Sequence, residues 1–283
     1  MSRTVYVNGE YLPEETASVS VFDRGFLMAD AVYEVTTVLD GKLLDFAAHM
    51  VRLERSLGEL GIAAPCDPDA LLAIHRELLE RNALTEGLIY LQVTRGAADR
   101  DFGWGEMTPT LVLFTQAKNL VDSPAAKTGI AVISVPDLRW GRRDIKTVQL
   151  LYPAMMKMEA KSRGAVDAWM IEDGFVTEGT SNNAWIVTAD GTLVTRNLGT
   201  EILHGITRAS VMRYAAAAQI KIEERPFTLA EVLAAKEAFF TSASSFVMPV
   251  VAMDGAPIGT GAAGPVVARL REIYVEESRK TAI

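Results

Sequence analysis

The sequence has 283 residues, of which 36 are acidic and 28 basic, and 49% are hydrophobic. The formal net charge of -8 argues against a nucleic-acid partner, because phosphate recognition needs clustered lysines and arginines. No apolar stretch approaches the roughly 18 residues of a membrane span, no signal peptide is visible, and Cys66 is the only cysteine, so neither a disulfide nor a Cys/His metal centre is expected. These features predict a soluble cytoplasmic protein that does not bind a membrane.

The N-terminal half is predicted to begin with a β-hairpin. Val5 and Val7 alternate with polar residues before Asn8-Gly9, a pair that readily takes the positive φ angles of a tight turn. A second alternating run covers residues 33–39, and apolar residues spaced three and four apart predict a helix over residues 47–60. The remaining elements expected in this half are a helix at 70–82 and strands at 89–94 and 111–115.

Residues 117–126 interrupt the periodicity with polar residues and a proline, which is typical of a linker. We therefore expect an N-terminal domain over residues 1–117, a linker over 118–126 and a larger domain over 127–283. The second domain is predicted to mix strands, hairpin turns and helices, including a helix at 208–218 and a capping box at Thr228 and Glu231. This mixture indicates an α+β fold rather than a doubly wound parallel sheet.

Lys146 is the first candidate for chemistry. It lies in RRDIKTVQLL between apolar residues, and loss of solvation in such surroundings lowers the pKa of a lysine toward the range in which it attacks a carbonyl. The alternative is a solvated lysine on an edge strand, as most lysines are surface residues.

Each of the other candidate residues, considered alone, also has two alternative interpretations. Glu178 at a strand end is either a turn residue or a carboxylate that faces a ligand. Gly205-Ile206-Thr207 precedes a helix, where free amides can bind phosphate, although Thr207 also suits an N-cap. Residues 241–245 (TSASS) are either a loop after a strand or a further set of amides and hydroxyls that could donate hydrogen bonds to a phosphate. Arg52 is a solvated helical arginine or a phosphate ligand, and His49 is interpreted as a structural histidine.

The order of these candidates is more specific than any one of them, and it resembles the fold-type IV pyridoxal-phosphate enzymes, in particular the D-amino-acid transaminase branch. The likeness covers nearly the whole chain. It is carried by the segments FDRGFLMADAVYEV, AHMVRLERSL, QVTRGAADRDF, DLRWGRRDIKTVQLL, GFVTEGTSNNAWIV, ILHGITRASVM and TSASSFVMPV.

The resemblance implies pyridoxal 5'-phosphate as cofactor, bound in a cleft between two domains, with Lys146 as Schiff-base lysine and proton shuttle. It implies that Glu178 pairs with the pyridine nitrogen, that Leu203 packs on the ring and that Ser181 lies near it. The implied phosphate ligands are Arg52, Ile206, Thr207, Ser242 and Ala243. The implied substrate residues are Tyr33, Val35, Ser244 and Arg100, the last supplied by a partner subunit of a homodimer.

The implied activity is amino transfer between D-amino acids, such as D-alanine or D-glutamate, and 2-oxo acids by a ping-pong mechanism. Alternatives on the same fold are an aminodeoxychorismate lyase and an aminotransferase for branched-chain L-amino acids or (R)-amines. Leu151 stands where branched-chain enzymes usually carry tyrosine, which favours the D-amino-acid branch. Two residues depart from that branch, since Phe102 replaces a histidine and Ala243 replaces a frequent threonine.

Overall fold

The computed structural model describes residues 2–283, and the chain divides into two compact units. The first unit ends at Asn119 and also includes Ile145–Gln149 and Thr281–Ile283, while the second comprises Leu120–Asp144 and Leu150–Lys280. The division falls inside the predicted linker. The segment Ile145–Gln149, which the sequence assigned to the second domain, groups instead with the first.

The first unit is built on a six-stranded antiparallel sheet. Its strands are β1 (Thr4–Val7), β2 (Glu10–Pro13), β3 (Ala31–Leu39), β4 (Lys42–Leu43), β5 (Gly87–Thr94) and β6 (Thr110–Ala117), in the order β2-β1-β6-β5-β3-β4. Its helices are α1 (Arg24–Met28), α2 (Phe46–Leu60) and α3 (Pro68–Arg81). The predicted apolar face of α2, with Leu53 and Leu57, packs with Leu78 of α3 in the core of this unit.

Backbone hydrogen bonds attach Ile145–Gln149 to the beginning of β3. The amide of Tyr33 donates to the Lys146 carbonyl at 3.0 Å, and the amide of Val148 donates to the Ala31 carbonyl at 3.2 Å. Ile145 is buried in the core of the first unit. Local sequence could not predict this long-range pairing, because the two segments lie more than 100 residues apart.

The second unit contains the remaining elements and a nine-stranded mixed sheet. Its strands are β7 (Ile130–Pro136), β8 (Asp167–Glu172), β9 (Phe175–Gly179), β10 (Asn183–Val187), β11 (Leu193–Thr195), β12 (Ile222–Glu224), β13 (Glu237–Ser242), β14 (Phe246–Met253) and β15 (Ala256–Pro257). The order is β12-β11-β10-β13-β14-β7-β8-β9, with β15 paired to β14. The helices are α4 (Pro124–Thr128), α5 (Leu151–Ser162), α6 (Ile206–Ala217), α7 (Leu229–Ala234) and α8 (Pro265–Thr281).

Most predicted elements are present, and the α+β class is confirmed. Both hydrogen bonds of the predicted capping box at Thr228 and Glu231 are in place. The segment predicted as a linker contains the first residues of α4, because Pro124 suits the first position of a helix. The sequence left an N-cap open as one alternative for Thr207, and the structure places Gly205 at that position of α6 instead.

No helix among residues 2–283 is long and apolar enough to cross a bilayer. Over the same residues, His, Cys, Asp and Glu side chains form no group of three or more that could hold a metal ion.

A buried histidine on α3 links the fold of the first unit to pH. The side chain of His75 is fully buried against the Phe46 ring, and its Nδ1 lies 2.7 Å from the Leu71 carbonyl oxygen, to which it donates. Burial lowers the pKa of His75 from 6.5 to about 4. The unfolded chain therefore binds a proton at His75 before the folded chain does, and stability is lost as the pH falls from 6.5 toward 4.

We expect the free energy of unfolding of His75→Met to fall less steeply than that of the wild type as the pH is lowered. Between pH 7 and pH 4.5 the wild type should lose about 2 kcal/mol more of its free energy of unfolding than the variant, because only the wild type carries this histidine. Denaturant unfolding at both pH values measures the difference. Leu79→Met, a change in the same helix core without a titrating group, should keep the wild-type slope. Equal slopes for wild type and His75→Met would contradict this account.

Candidate active site

Lys146 is held by its backbone and presents its amine to an aromatic ring. Its amide lies 3.5 Å from the Ser56 hydroxyl of α2, and its carbonyl accepts from Tyr33. The side chain is half-buried, and Nζ lies 4.1 Å from the centroid of the Tyr33 ring. The structure thus brings together two of the residues predicted for the site, Lys146 and the tyrosine that the sequence predicts to bind substrate.

The Tyr33 ring belongs to an aromatic row on one face of the first sheet. It stacks on Tyr90 at 5.5 Å, and Tyr90 stacks on Phe114 at 4.8 Å. Val35, also predicted to contact substrate, lies two residues from Tyr33 on the same strand and is half-buried. Since side chains alternate along a strand, Tyr33 and Val35 share a face.

Arg52 is bound to a carboxylate that the sequence did not indicate. Its Nε and Nη2 donate to Glu34 at 2.8 and 2.7 Å, and His49 Nδ1 lies 2.7 Å from the same carboxylate. All three side chains are buried. Burial alone would raise the pKa of Glu34, but the charge and hydrogen bonds of Arg52, together with His49, lower it to about 2. His49 is thus a satisfied structural histidine, as predicted, and Glu34 fixes the orientation of Arg52.

In the second unit, Glu178 lies near the end of β9 as a fully buried carboxylate with several donors. Arg139 donates to Oε1 at 2.6 Å, while the Asn183 side chain and the Leu203 amide donate to Oε2 at 2.9 and 3.1 Å. Glu178 is therefore a buried, hydrogen-bonded carboxylate and not a solvated turn residue. The Leu203 contact brings together two further residues predicted for the site.

Arg139 is shared between two carboxylates. Its Nη2 and Nε donate to Asp137 at 2.7 and 3.0 Å, and Thr177 also donates to Asp137. Burial raises the pKa of Glu178 above its ordinary value, and Arg139 only partly opposes this effect. Burial alone would lower the pKa of Arg139, but Glu178 and Asp137 raise it. The cluster thus holds a carboxylate that is more basic than an ordinary glutamate.

Asn183 couples Glu178 to the start of α6. Its amide nitrogen also donates to the Leu203 carbonyl at 2.9 Å. A Cβ added to Gly205, the N-cap of α6, would lie only 2.0 Å from Asn183 Oδ1, so this close approach requires glycine. Ile206 and Thr207 follow in the first turn, where backbone amides have no partner within the helix.

The other predicted residues of the second unit lie on turns. Ser181 is exposed in the turn between β9 and β10, which Asp167 stabilises by accepting from Thr180 and Asn182. Ser242, Ala243 and Ser244 lie in the hairpin between β13 and β14, and all three are half-buried.

Arg100 is exposed on the segment between β5 and β6, where its guanidinium lies 5.7 Å from the centroid of the Phe102 ring. Arg24 anchors this segment by donating to the carbonyls of Asp101 and Phe102. Trp104 adds a second anchor, since its ring lies 4.1 Å from the Arg95 guanidinium. No contact in the described chain joins Arg100 to Lys146 or Tyr33.

Sequence reasoning missed Glu34, Arg139 and the bridging role of Asn183. Arg139 lies in the arginine-rich run before Lys146, and that run was the one signal that could have identified it. Glu34 had no such signal, because a glutamate inside an alternating strand is indistinguishable from a solvated residue until the partner helix is known. Asn183 gave no signal either, because asparagines in a Gly-Thr-Ser-Asn-Asn run are typical of a turn.

The first unit contains the half-buried amine of Lys146. The second contains the buried carboxylate of Glu178 and the backbone amides at the start of α6 and in the β13–β14 hairpin. An amine can condense with an aldehyde and move protons, a carboxylate can hold a proton on a ring nitrogen, and a helix N-terminus favours a phosphate.

Comparisons with known proteins agree with this chemistry. Residues 31–253 match the family described as amino-transferase class IV. The chain is 36% identical to the D-alanine aminotransferase of Bacillus licheniformis, over 98% of this chain and 99% of the relative. It is 35% identical to the D-alanine aminotransferase of Staphylococcus aureus, over 95% of each.

Solved structures show the same fold. The branched-chain amino acid aminotransferase from Thermoproteus uzoniensis, solved with norvaline, superposes with a TM-score of 0.88 at 25% identity, over 98% of this chain and 95% of that one. The Escherichia coli branched-chain enzyme gives a TM-score of 0.89 at 22% identity, over 98% and 94%. The family match covers most of the chain, and the two D-alanine aminotransferases match it over nearly its full length. The chain therefore belongs to the class IV aminotransferase family.

Proposed function

We propose that the protein is a pyridoxal 5'-phosphate-dependent aminotransferase that moves the amino group of a D-amino acid to a 2-oxo acid. The observation that carries the proposal is Lys146, a half-buried amine fixed to β3 through its backbone and facing the Tyr33 ring. The near full-length similarity to D-alanine aminotransferases supports a D-amino acid as substrate. It favours this activity over the lyase and over the L-amino acid and amine alternatives.

The donor set fits this cofactor. The aldehyde suits the amine of Lys146, the pyridine nitrogen suits the buried carboxylate of Glu178, and the phosphate suits Arg52, the amides of Ile206 and Thr207, and the hairpin residues Ser242 and Ala243. We further propose Leu203 as a ring contact and Ser181 as a polar neighbour of the ring. When bound, the cofactor supplies an electron sink for the electron pair left at the substrate α-carbon.

The residues of the chain then have separate tasks. Lys146 Nζ would hold the cofactor and, once released, would serve as the base that takes the proton from the substrate α-carbon and as the acid that gives it back. Glu178 keeps a proton on the ring nitrogen, because a buried carboxylate favours a positively charged partner. Tyr33 and Arg100 bind the substrate carboxylate, for which a guanidinium offers two parallel donors. Val35 and Ser244 contact the rest of the substrate.

The active unit is proposed to be a homodimer in which Arg100 comes from the partner. One face of α5 supports a protein contact, because Leu151, Met155 and Met158 are 76%, 53% and 62% exposed and their spacing of four and three places them together. Exposed apolar patches of this kind mark interaction surfaces. A cytoplasmic location remains a prediction, in keeping with a single cysteine.

The direct test mixes the purified protein with D-alanine and 2-oxoglutarate and follows pyruvate. We expect pyruvate from D-alanine and little from L-alanine, because the carboxylate must be held on one side of the ring. Lys146→Ala should abolish activity, whereas Lys157→Ala, at an exposed helical lysine, should retain it. Borohydride should attach the cofactor covalently to a peptide containing Lys146.

The same assay separates the alternatives. Pyruvate from aminodeoxychorismate without an amino acceptor would identify a lyase, and faster turnover of L-leucine or an (R)-amine would identify the other aminotransferases. Cofactor attachment at a different lysine would refute the assignment of Lys146.

Glu178→Gln is expected to lower kcat by about 100-fold or more while the cofactor stays bound, because an amide cannot keep the ring nitrogen protonated, and lost electrostatic stabilisation costs this much in other enzymes. Steady-state kinetics with measured cofactor content tests it. Glu172→Gln, which removes a different carboxylate from the same arginine cluster, is the control and should change kcat by less than about threefold. A fully active Glu178→Gln enzyme would exclude this role.

Met155→Glu is expected to shift the protein from dimer to monomer, since a charge in a buried apolar contact is costly. Lys157→Glu, two residues away and off the apolar face, should leave the dimer intact. Light scattering at several concentrations distinguishes the states. If Arg100 comes from the partner, D-alanine activity should fall with the dimer fraction. A Met155→Glu protein that stays dimeric would argue against this contact.

A further inference from the structure

The hairpin that carries Ser242, Ala243 and Ser244 has an unusual residue at its exit. Ser242 of β13 pairs with Phe246 of β14, which leaves a three-residue loop. Such loops usually end in a left-handed residue, most often glycine. Here that residue is Phe246, with a φ of 60°, a conformation that is rare for a bulky side chain. Contacts from elsewhere must therefore hold it.

Helix α8 supplies those contacts through Arg271. Its Nη1 donates to the carbonyl of Ser245 at 2.7 Å and to that of Val247 at 2.9 Å. One nitrogen therefore binds the backbone on both sides of Phe246. The guanidinium lies 5.4 Å from the centroid of the Phe246 ring, and the Tyr274 ring lies 5.2 Å from it. These groups fix both the backbone and the ring of the left-handed residue.

Arg271 and its helix are themselves held by other residues of the second unit. Its Nη2 donates to the carbonyls of Leu120 and Val121. The N-terminus of α8 is capped by Glu237 of β13, whose carboxylate accepts from the amides of Val266 and Val267 at 3.1 and 2.9 Å. Thus β13, which leads into the loop, anchors the helix that fixes the loop's exit.

We propose that Arg271 is a positioning residue for the phosphate of the cofactor. It acts by holding the 242–246 hairpin in its binding conformation, and it does not touch the cofactor. This inference rests on the proposed function, since it assigns the hairpin to phosphate binding. The planar fork of a guanidinium can serve four carbonyls at once, which a lysine ammonium cannot.

The test compares two ligands that differ only in the phosphate. Dissociation constants of pyridoxal 5'-phosphate and of pyridoxal are measured by absorbance titration of the full-length protein after removal of its cofactor. We expect Arg271→Met to weaken pyridoxal 5'-phosphate about tenfold or more, as loss of a supporting residue does around other bound groups, and to change pyridoxal affinity by less than about twofold. Arg271→Lys should fold more readily and show the same selective loss.

Arg269→Met is the matched control, because Arg269 lies on the same helix with its side chain 62% exposed. It should leave both dissociation constants at wild-type values. Equal weakening of both ligands in the Arg271 variants would indicate a general structural role and overturn the proposal, as would unchanged affinity for pyridoxal 5'-phosphate. A wild-type protein that binds neither ligand would instead refute the proposed function, on which this inference depends.

Discussion

The pairing of Ile145–Gln149 with the start of β3 is the constraint on which the proposed chemistry depends. A lysine side chain is long and mobile, and its reactive nitrogen has no defined place unless its backbone is fixed. Two backbone hydrogen bonds with β3 and the burial of Ile145 provide that fixation. The same pairing places Lys146 beside Tyr33, because the amide that binds the lysine carbonyl belongs to that tyrosine. One long-range β-type pairing thus fixes both the proposed Schiff-base lysine and the aromatic ring beside it.

Two buried glutamates show how neighbours determine the basicity of a carboxylate. Glu34 receives Arg52 through two hydrogen bonds and His49 through a third, and its pKa falls to about 2. Glu178 is equally buried, but it shares its guanidinium partner, Arg139, with Asp137. Burial raises the pKa of Glu178, and the negative charge of Asp137 raises it further. The first carboxylate is therefore a permanent counter-ion. The second is better suited to share a proton with a bound ring.

Much of the architecture followed from the sequence because its signals are local. The Asn8-Gly9 turn, the apolar face of α2 and the Thr228 capping box each depend on residues within a few positions of one another. Lys146 and Glu178 were proposed for the site because their motifs occur in a recognisable order. Glu34 and Arg139 were not, because their importance lies in partners 18 and 39 residues away. The attachment of the lysine segment to the first unit was missed for the same reason.

The departures from the family pattern can be understood by the same reasoning. Phe102 replaces a histidine, and its side chain is 79% exposed, so the lost donor is not replaced by another polar group at that position. Its backbone carbonyl, however, accepts from Arg24, as does that of Asp101. The Arg24 contacts to the segment that carries Arg100 therefore involve the main chain at residues 101 and 102, and the Phe102 side chain takes no part in them. Since Phe102 cannot donate a hydrogen bond from its side chain, the proposed binding of the substrate carboxylate rests on Arg100 and Tyr33 without a donor at position 102.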